Sequence, residues 1–202
     1  AQGIQKIYFF TREGEFYKEI YDAMAAVSKR PYPKSYLLEV SRIATFMPSL
    51  REISTKELMR LWNQYSIQSM QALFTSLGVE LEAVRGYLAR HEIPPEEVIT
   101  YPWQDKRVQE LFADEEFLDC MEAERDGKRE LLRSYCEERD LCGAEEKIAI
   151  VDIGWRGTIQ DNLCYLFPKT KMLGFYIGLI PFLNEQPANA EKRGYIDAFR
   201  SA

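Results

Sequence analysis

The sequence predicts an α/β fold with a parallel sheet, interrupted by a large helical insertion. Short apolar runs at both ends of the chain are typical of buried strands, and each is followed by a helical pattern and another strand. Such strand–helix–strand repeats favour parallel strands joined by right-handed crossovers. The middle of the chain shows helical periodicity. We therefore expect an α/β core from residues 1–50 and 145–202, and a helical insertion over residues 51–144.

The N-terminal part of the core contains two predicted strands and one helix. Residues 6–10 are apolar and aromatic, and the polar segment Thr11-Arg12-Glu13-Gly14 ends this strand. Residues 35–40 form the second strand, with Ser41 and Arg42 directly after it. Between the strands lies a helix whose apolar residues share one face: Phe16, Ile20, Met24 and Val27.

The predicted insertion carries several apolar stripes with helical spacing. Ser54 or Thr55 is the expected N-cap of the first helix, and Gly78 is expected to end the second. A charged stretch over residues 114–140 predicts a further helix. No segment repeats at a fixed period, so the insertion is not a repeat array.

The C-terminal part of the core begins with the clearest strand, residues 148–152, whose continuous apolar character suits a central parallel strand. A turn with two glycines follows, and Thr158 begins a helix that Pro168 ends. Residues 171–177 predict a fourth strand, while residues 184–202 carry no pattern that predicts an element. Together these elements predict a Rossmann-like sheet.

Composition excludes several classes of function. The 26 basic and 32 acidic residues leave a net charge of −6, which disfavours broad binding to nucleic-acid phosphates. The four cysteines form no CxxC pair and the only histidine is His91, so we expect reduced thiols and no zinc site. No apolar run is long enough to span a membrane, and no export leader is recognisable. We expect a cytoplasmic domain excised from a longer protein.

Polar segments follow three of the predicted strands. In open parallel sheets, ligands bind outside the carboxyl ends of the strands. If the strands are neighbours, these segments meet at one edge and form a single anion-binding cleft. They are Arg12-Glu13-Gly14, Ser41-Arg42, and Asp152 through Thr158.

The third segment predicts the most specific chemistry. Gly154 and Gly157 permit a left-handed backbone that exposes amide groups to an anion. Arg156 is a candidate for a charged contact with phosphate, and Thr158 stands at a helix start, where anions bind. Asp152 is a candidate for sugar hydroxyls or for a Mg²⁺ ion.

Each of these residues also has a purely structural interpretation. The glycines then serve only the geometry of a tight turn, Thr158 is the N-cap, and Asp152 bonds loop amides. For Trp155, we weigh stacking on a sugar or base against packing on the neighbouring helix.

The order strand, Asp152, loop, Gly157-Thr158 resembles the phosphate loop of type I phosphoribosyltransferases. Ile153 stands where that family has a second acidic residue, and the loop is about one residue shorter. The resemblance implies a phosphoribosyltransferase-like core as the form of the parallel sheet. The stretch is also similar to the first motif of haloacid-dehalogenase phosphatases, but the second aspartate of that motif is missing.

Residues 7–14, 41–42, 48–50 and 151–160 resemble a bacterial family linked to surface polysaccharide synthesis. The similar segment follows a haloacid-dehalogenase-like domain, often in glycosyltransferase-associated chains. The resemblance implies a cytoplasmic module of capsule or O-antigen assembly, with flanking domains of a longer chain as partners.

Three functions remain open at this point. The first is a transferase domain acting on a phosphorylated sugar or nucleotide-sugar, with Asp152 and Arg12 in catalysis and Arg42 neutralising charge. The second is a non-catalytic interaction or regulatory module of a larger glycosyltransferase-associated protein. The third is a haloacid-dehalogenase-like phosphatase. Transfer is favoured over hydrolysis because the second aspartate is absent.

Overall fold

The computed structural model describes residues 3–11 and 13–197. The chain divides into two compact units, Ala1–Thr45 with Leu132–Ala202, and Phe46–Leu131. The inserted unit therefore begins and ends earlier than residues 51 and 144. Each boundary falls inside a helix, α2 (Arg42–Ser49) or α7 (Glu115–Glu137), where the sequence has no linker composition to mark it.

Five strands form the sheet of the first unit: β1 (Lys6–Phe10), β2 (Lys34–Leu38), β5 (Lys147–Asp152), β6 (Lys171–Leu179) and β7 (Ala190–Asp197). All pairings are parallel, in the order β2-β1-β5-β6-β7. Counting only these strands along the chain, the order is 2-1-3-4-5, as in doubly wound sheets of the flavodoxin type. The predicted α/β class with a Rossmann-like parallel sheet is confirmed. Strand β7 lies in the segment for which the sequence predicted no element.

Helices cover both faces of this sheet. Helix α1 (Glu13–Val27) follows β1 and packs on the face that carries Ile7, Phe9 and Ala149. Helix α8 (Thr158–Leu166) follows β5, and its Leu163 packs on the opposite face, with Ile150. The strand order thus reverses between β1 and β5, which is the position where doubly wound sheets bind ligands.

Helix α1 leaves its apolar stripe in contact with solvent. Phe16, Ile20, Met24 and Val27 are between 43% and 85% exposed. The sheet is instead covered by tyrosines on the adjacent face, and the Tyr21 hydroxyl donates a hydrogen bond to the Pro33 carbonyl at 2.8 Å. Tyrosine is apolar along its ring and polar at its tip, so it fits the rim of a helix–sheet contact.

The second unit is mainly helical. It contains α3 (Thr55–Trp62), α4 (Met70–Leu77), α5 (Leu81–Arg90), a 3₁₀ helix (Pro102–Gln104), α6 (Lys106–Leu111), and the adjoining parts of α2 and α7. Ser54 caps α3, and Gly78 ends α4 with φ of 66°, as expected from the sequence. A two-stranded antiparallel sheet, β3 (Ile67–Gln68) with β4 (Ile99–Thr100), is too short to leave a periodic signal.

The core of the inserted unit is built around Trp62, Phe74 and Phe117, all fully buried. Among the helices that the structure describes, none combines the length and the apolar character that a membrane crossing needs.

Candidate functional site

The carboxyl ends of the central strands lie level with one another. Phe10 pairs with Leu38, and Asp152 pairs with Tyr176. The polar segments that follow β1, β2 and β5 therefore begin at the same edge of the sheet. Arg12 lies outside the described residues, so its predicted catalytic role stays a prediction.

The helices that follow two of these segments are joined through a side-chain contact. The Asn162 amide of α8 donates a hydrogen bond to the Thr45 hydroxyl of α2 at 3.0 Å, in a buried position. The N-terminal halves of α2 and α8 therefore lie side by side. This contact brings the start of α2, with Ser41 and Arg42, next to the start of α8, with Thr158.

Asp152 is the most perturbed acid at this edge. The pKa of its half-buried carboxyl is raised to about 6, mainly by burial and to a smaller extent by the negative charge of Glu13. A hydrogen bond from the Ile153 amide, 2.8 Å from Oδ1, acts in the opposite direction. No basic side chain in the described part of the chain lowers this pKa. The carboxyl group consequently changes its charge close to neutral pH.

The turn after β5 continues the pairing of the sheet. The Gly178 amide donates to the Ile153 carbonyl at 3.1 Å, and the Ile180 amide donates to the Trp155 carbonyl at 3.0 Å. Gly154 has φ of 138°, and a Cβ at this residue would collide with the Gly178 carbonyl. The close approach of two backbone segments therefore accounts for Gly154 without a ligand.

Gly157 is explained by packing in the same way. It is the N-cap of α8 with φ of 67°, so Thr158 is the first helical residue and not the cap. A Cβ on Gly157 would lie 2.7 Å from the Tyr176 hydroxyl and 2.8 Å from Cε of Lys192. Arg156 is half-buried, and its Nε donates to the Pro181 carbonyl at 3.2 Å. Part of the guanidinium is thus held by the protein itself.

The residues predicted on the other two segments have identifiable local roles. Gly14 is buried, and a Cβ there would lie 2.9 Å from the Phe9 carbonyl carbon, so only glycine allows α1 to approach β1 this closely. The Ser41 hydroxyl accepts a hydrogen bond from the Ala44 amide at 3.1 Å and caps α2. Glu13 and Arg42 are exposed in the first turns of α1 and α2.

A buried lysine beneath the turn was missed by sequence analysis. The side chain of Lys192, in β7, is 3% exposed. Its Nζ lies 2.9 Å from the Arg156 carbonyl oxygen, 2.6 Å from Gln186 Oε1 and 2.6 Å from Asp161 Oδ1. Burial lowers its pKa, while the charge of Asp161 opposes that effect. No sequence signal marked Lys192, because β7 itself was not recognised.

Tyr176 and Gln160 form a second buried group that the sequence did not reveal. The Tyr176 hydroxyl donates to Gln160 Oε1 at 2.6 Å, and the Gln160 amide donates to the carbonyls of Met172 and Glu191. Burial raises the pKa of Tyr176 well above its ordinary value, so the phenol stays neutral. This network ties α8 to β6 and β7 directly behind the turn.

The electrostatics of the edge favour an anion near the helix starts. Helices α1, α2 and α8 all begin here, and their first amides carry the positive ends of the helix dipoles. Among the described residues, no group of three or more histidine, cysteine or acidic side chains is placed to hold a metal ion. Asp152 and Glu13 supply two carboxylates at most.

A scan against protein-family models and a search of curated protein sequences found no match to this chain. The assignment of the site therefore depends on its position in the sheet, on the perturbed carboxyl group and on the helix starts around it.

Proposed function

We propose that the carboxyl edge of the sheet binds a phosphorylated sugar or nucleotide-sugar and acts on it, in bacterial surface polysaccharide biosynthesis. The observation that supports this is a half-buried carboxyl, Asp152, at the point where the strand order reverses. Perturbed acids in such clefts are candidates for catalysis. The class of ligand comes from the family resemblance of residues 7–14, 41–42, 48–50 and 151–160.

In this proposal the amides at the start of α8 and the Thr158 hydroxyl bind the phosphate. Arg42, in the first turn of the neighbouring helix, adds positive charge, as a departing phosphate requires. A carboxyl group with a pKa of about 6 is present in both protonation states near neutral pH. Asp152 is therefore suited to exchange a proton with a sugar hydroxyl.

Mg²⁺ is part of the proposal as a ligand-bridging ion. Magnesium in phosphate sites is commonly held by one or two protein carboxylates together with substrate phosphates and water. Asp152 and Glu13, which interact electrostatically, are the residues that would hold it. With the ion bound, Asp152 would stay ionised and act as a ligand instead of exchanging a proton. The ion would offset the charge that accumulates on the leaving phosphate.

Calorimetric titration with sugar phosphates and nucleotide-sugars, with and without Mg²⁺, tests the proposal. We expect at least one ligand to bind, and Asp152→Asn to bind it while losing turnover at least tenfold, as for a general acid or base. Asp119→Asn, an exposed aspartate of the inserted unit, is the matched control. An Asp152→Asn protein that turns over at the wild-type rate contradicts the catalytic role, and absence of binding by every ligand overturns the proposal.

A non-catalytic module is the second candidate, and the internal contacts of the turn favour it. The Nε atom of Arg156 is bonded to the Pro181 carbonyl, and both glycines of the turn are required by packing. Ligand binding without turnover for any sugar phosphate or nucleotide-sugar would support this candidate.

A haloacid-dehalogenase-like phosphatase ranks last. Gly154 occupies the position of the second aspartate of that motif, two residues after Asp152. Release of phosphate from an aryl phosphate, dependent on Mg²⁺ and lost in Asp152→Asn, would move it to first place.

A further inference from the structure

We infer that Trp155 is a stacking platform for the base of a nucleotide, so that the ligand of the site is a nucleotide-linked sugar. This inference rests on the proposed function and narrows it to one class of substrate. It starts from the position of the indole ring, which is 61% exposed at the carboxyl edge of the sheet.

One side of the indole ring is supported by backbone. A Cβ on Gly178 would lie 2.6, 3.0 and 3.6 Å from three carbons of the six-membered ring, Cζ3, Cε3 and Cη2. The ring therefore lies against a residue that has no side chain. Any other residue at position 178 would push the indole away, so Gly178 creates the space for it.

The backbone of Trp155 is also fixed. Its carbonyl accepts a hydrogen bond from Ile180, and the Ile153 carbonyl accepts one from Gly178. Both bonds extend the pairing with β6 beyond the end of β5. A ring that is already held in place loses little conformational entropy when a ligand stacks on it.

The exposed side of Trp155 has no structural use in the described part of the chain. No described aromatic ring stacks on it, whereas Trp62 and Trp103 contact each other in the inserted unit, with ring centroids 5.9 Å apart and the rings tilted by 37°. The structural alternative, packing on the neighbouring helix, is replaced by the contact with Gly178 of β6. Flat apolar rings open to solvent commonly stack on bases, because every base offers a π-face.

The distance to the phosphate position suits a nucleotide. Thr158 follows Trp155 by three residues, so the Cα atoms of the two residues lie within about 11 Å of each other. In a nucleoside phosphate, the base and the phosphate are joined through one sugar. A phosphate on α8 and a base on Trp155 therefore place that sugar beside the turn.

The test compares Trp155→Leu and Trp155→Phe with the wild-type chain, using uridine, adenosine, their 5′-monophosphates and glucose 1-phosphate. Loss of one stacked base is expected to weaken binding of the monophosphates by about 5- to 150-fold in Trp155→Leu. Trp155→Phe should retain most of the affinity, and glucose 1-phosphate should bind all three proteins equally. Tyr32→Leu, which removes an exposed ring before β2, is the control and should change nothing.

The results with different ligands distinguish a failure of this inference from a failure of the proposed function. Glucose 1-phosphate binding with unchanged monophosphate affinity in Trp155→Leu overturns the platform and leaves the phosphate site. If nucleosides quench the tryptophan fluorescence of the wild-type chain but not that of Trp155→Leu, and no phosphate ligand binds, the platform is supported and the phosphate site is overturned. If neither class of ligand binds the wild-type chain, both fail. Thermal unfolding of each variant confirms that the comparison concerns folded protein.

Discussion

Glu57 and Asp152 are both withdrawn from water, but their pKa values move in opposite directions. Glu57 of α3 is 3% exposed. Burial alone would raise its pKa, but Arg51 donates to Oε1 at 2.5 and 2.9 Å, and Arg60 adds a second positive charge at 3.3 Å. These contacts outweigh burial and lower the pKa. Glu57 is therefore charged at neutral pH and acts as a structural residue.

Asp152 lacks such partners among the described residues, so burial raises its pKa to about 6. The neighbouring charge is that of Glu13, which is also negative. Burial itself does not distinguish a structural carboxylate from a chemically useful one; the charges around it do. In this chain the two outcomes occur in different units, one in the inserted helices and one at the sheet edge.

The largest effect is expected from Glu57→Gln. Removing this charge leaves Arg60 with less compensation in a mostly buried position, so the free energy of unfolding should fall by about 3 kcal/mol. Denaturant unfolding followed by the fluorescence of Trp62 and Trp103, both in the same unit, measures the loss. Glu82→Gln, an exposed glutamate paired with Arg85, should cost under about 0.5 kcal/mol. Equal losses in the two variants would show that Glu57 is not a structural ion.

The Asp152→Asn substitution should raise the free energy of unfolding, whereas Glu57→Gln lowers it. A neutral amide avoids the cost of a half-buried charge at pH 7, so the variant should be more stable by about 2 kcal/mol. The measurement is denaturant unfolding followed by circular dichroism. Glu145→Gln, an exposed acid of the same unit, should leave stability unchanged. A destabilised Asp152→Asn protein would place Asp152 in the same structural class as Glu57.

The pH dependence should separate the two carboxyl groups. The pKa of Asp152 is about 6 in the folded chain and roughly 3.9 when unfolded, so the folded state binds the extra proton between these values. Its contribution to stability therefore decreases as pH rises from about 4 to 6, and the advantage of Asp152→Asn should vanish below pH 4. Glu57, with a lowered pKa, contributes stability at neutral pH that is lost on acidification. Unfolding curves at pH 4 and pH 7 check both signs.

The smallest effect is expected from Glu13→Gln. Removing this negative charge should lower the pKa of Asp152, but leave it above the ordinary value because burial is the larger cause. Carboxyl-carbon NMR titration of Asp152 measures the change. Glu15→Gln, two positions further along the same helix, serves as the control and should leave the titration of Asp152 unchanged. A titration unaffected by Glu13→Gln would mean that the two acids do not interact.

Local patterns predicted the sheet and its edge well. Strand β1 has the predicted bounds, and Ser54 and Gly78 delimit their helices as expected. The register aligns the end of β5, at Asp152, with the ends of β1 and β2, and Ser41 follows the end of β2 by three residues. These features depend on residues close together in sequence. The position of the site became clear only from the order of the strands in the sheet, because the sequence alone does not show that β1 and β5 are adjacent.

Contacts between distant residues were beyond prediction. The exposed stripe of α1 has ordinary helical spacing, and nothing in it indicates that Tyr17 and Tyr21 would cover the sheet instead. The glycines at 154 and 157 correctly predicted the turn. The residues that leave no room for a Cβ at these positions are Gly178, Tyr176 and Lys192, which lie 19 to 35 residues further along the chain. The raised pKa of Asp152 likewise depends on tertiary burial.

Lys192 also allows the opening of this region to be measured by chemical labelling. Amine-reactive reagents need an accessible, unprotonated amine. The Nζ atom of Lys192 is buried and lies in contact with three oxygen atoms. Exposed lysines such as Lys106 should be modified first, and Lys192 only when α8, β7 and the turn separate. The ratio of the two rates, read by peptide mass spectrometry, would then report how often the floor of the site opens.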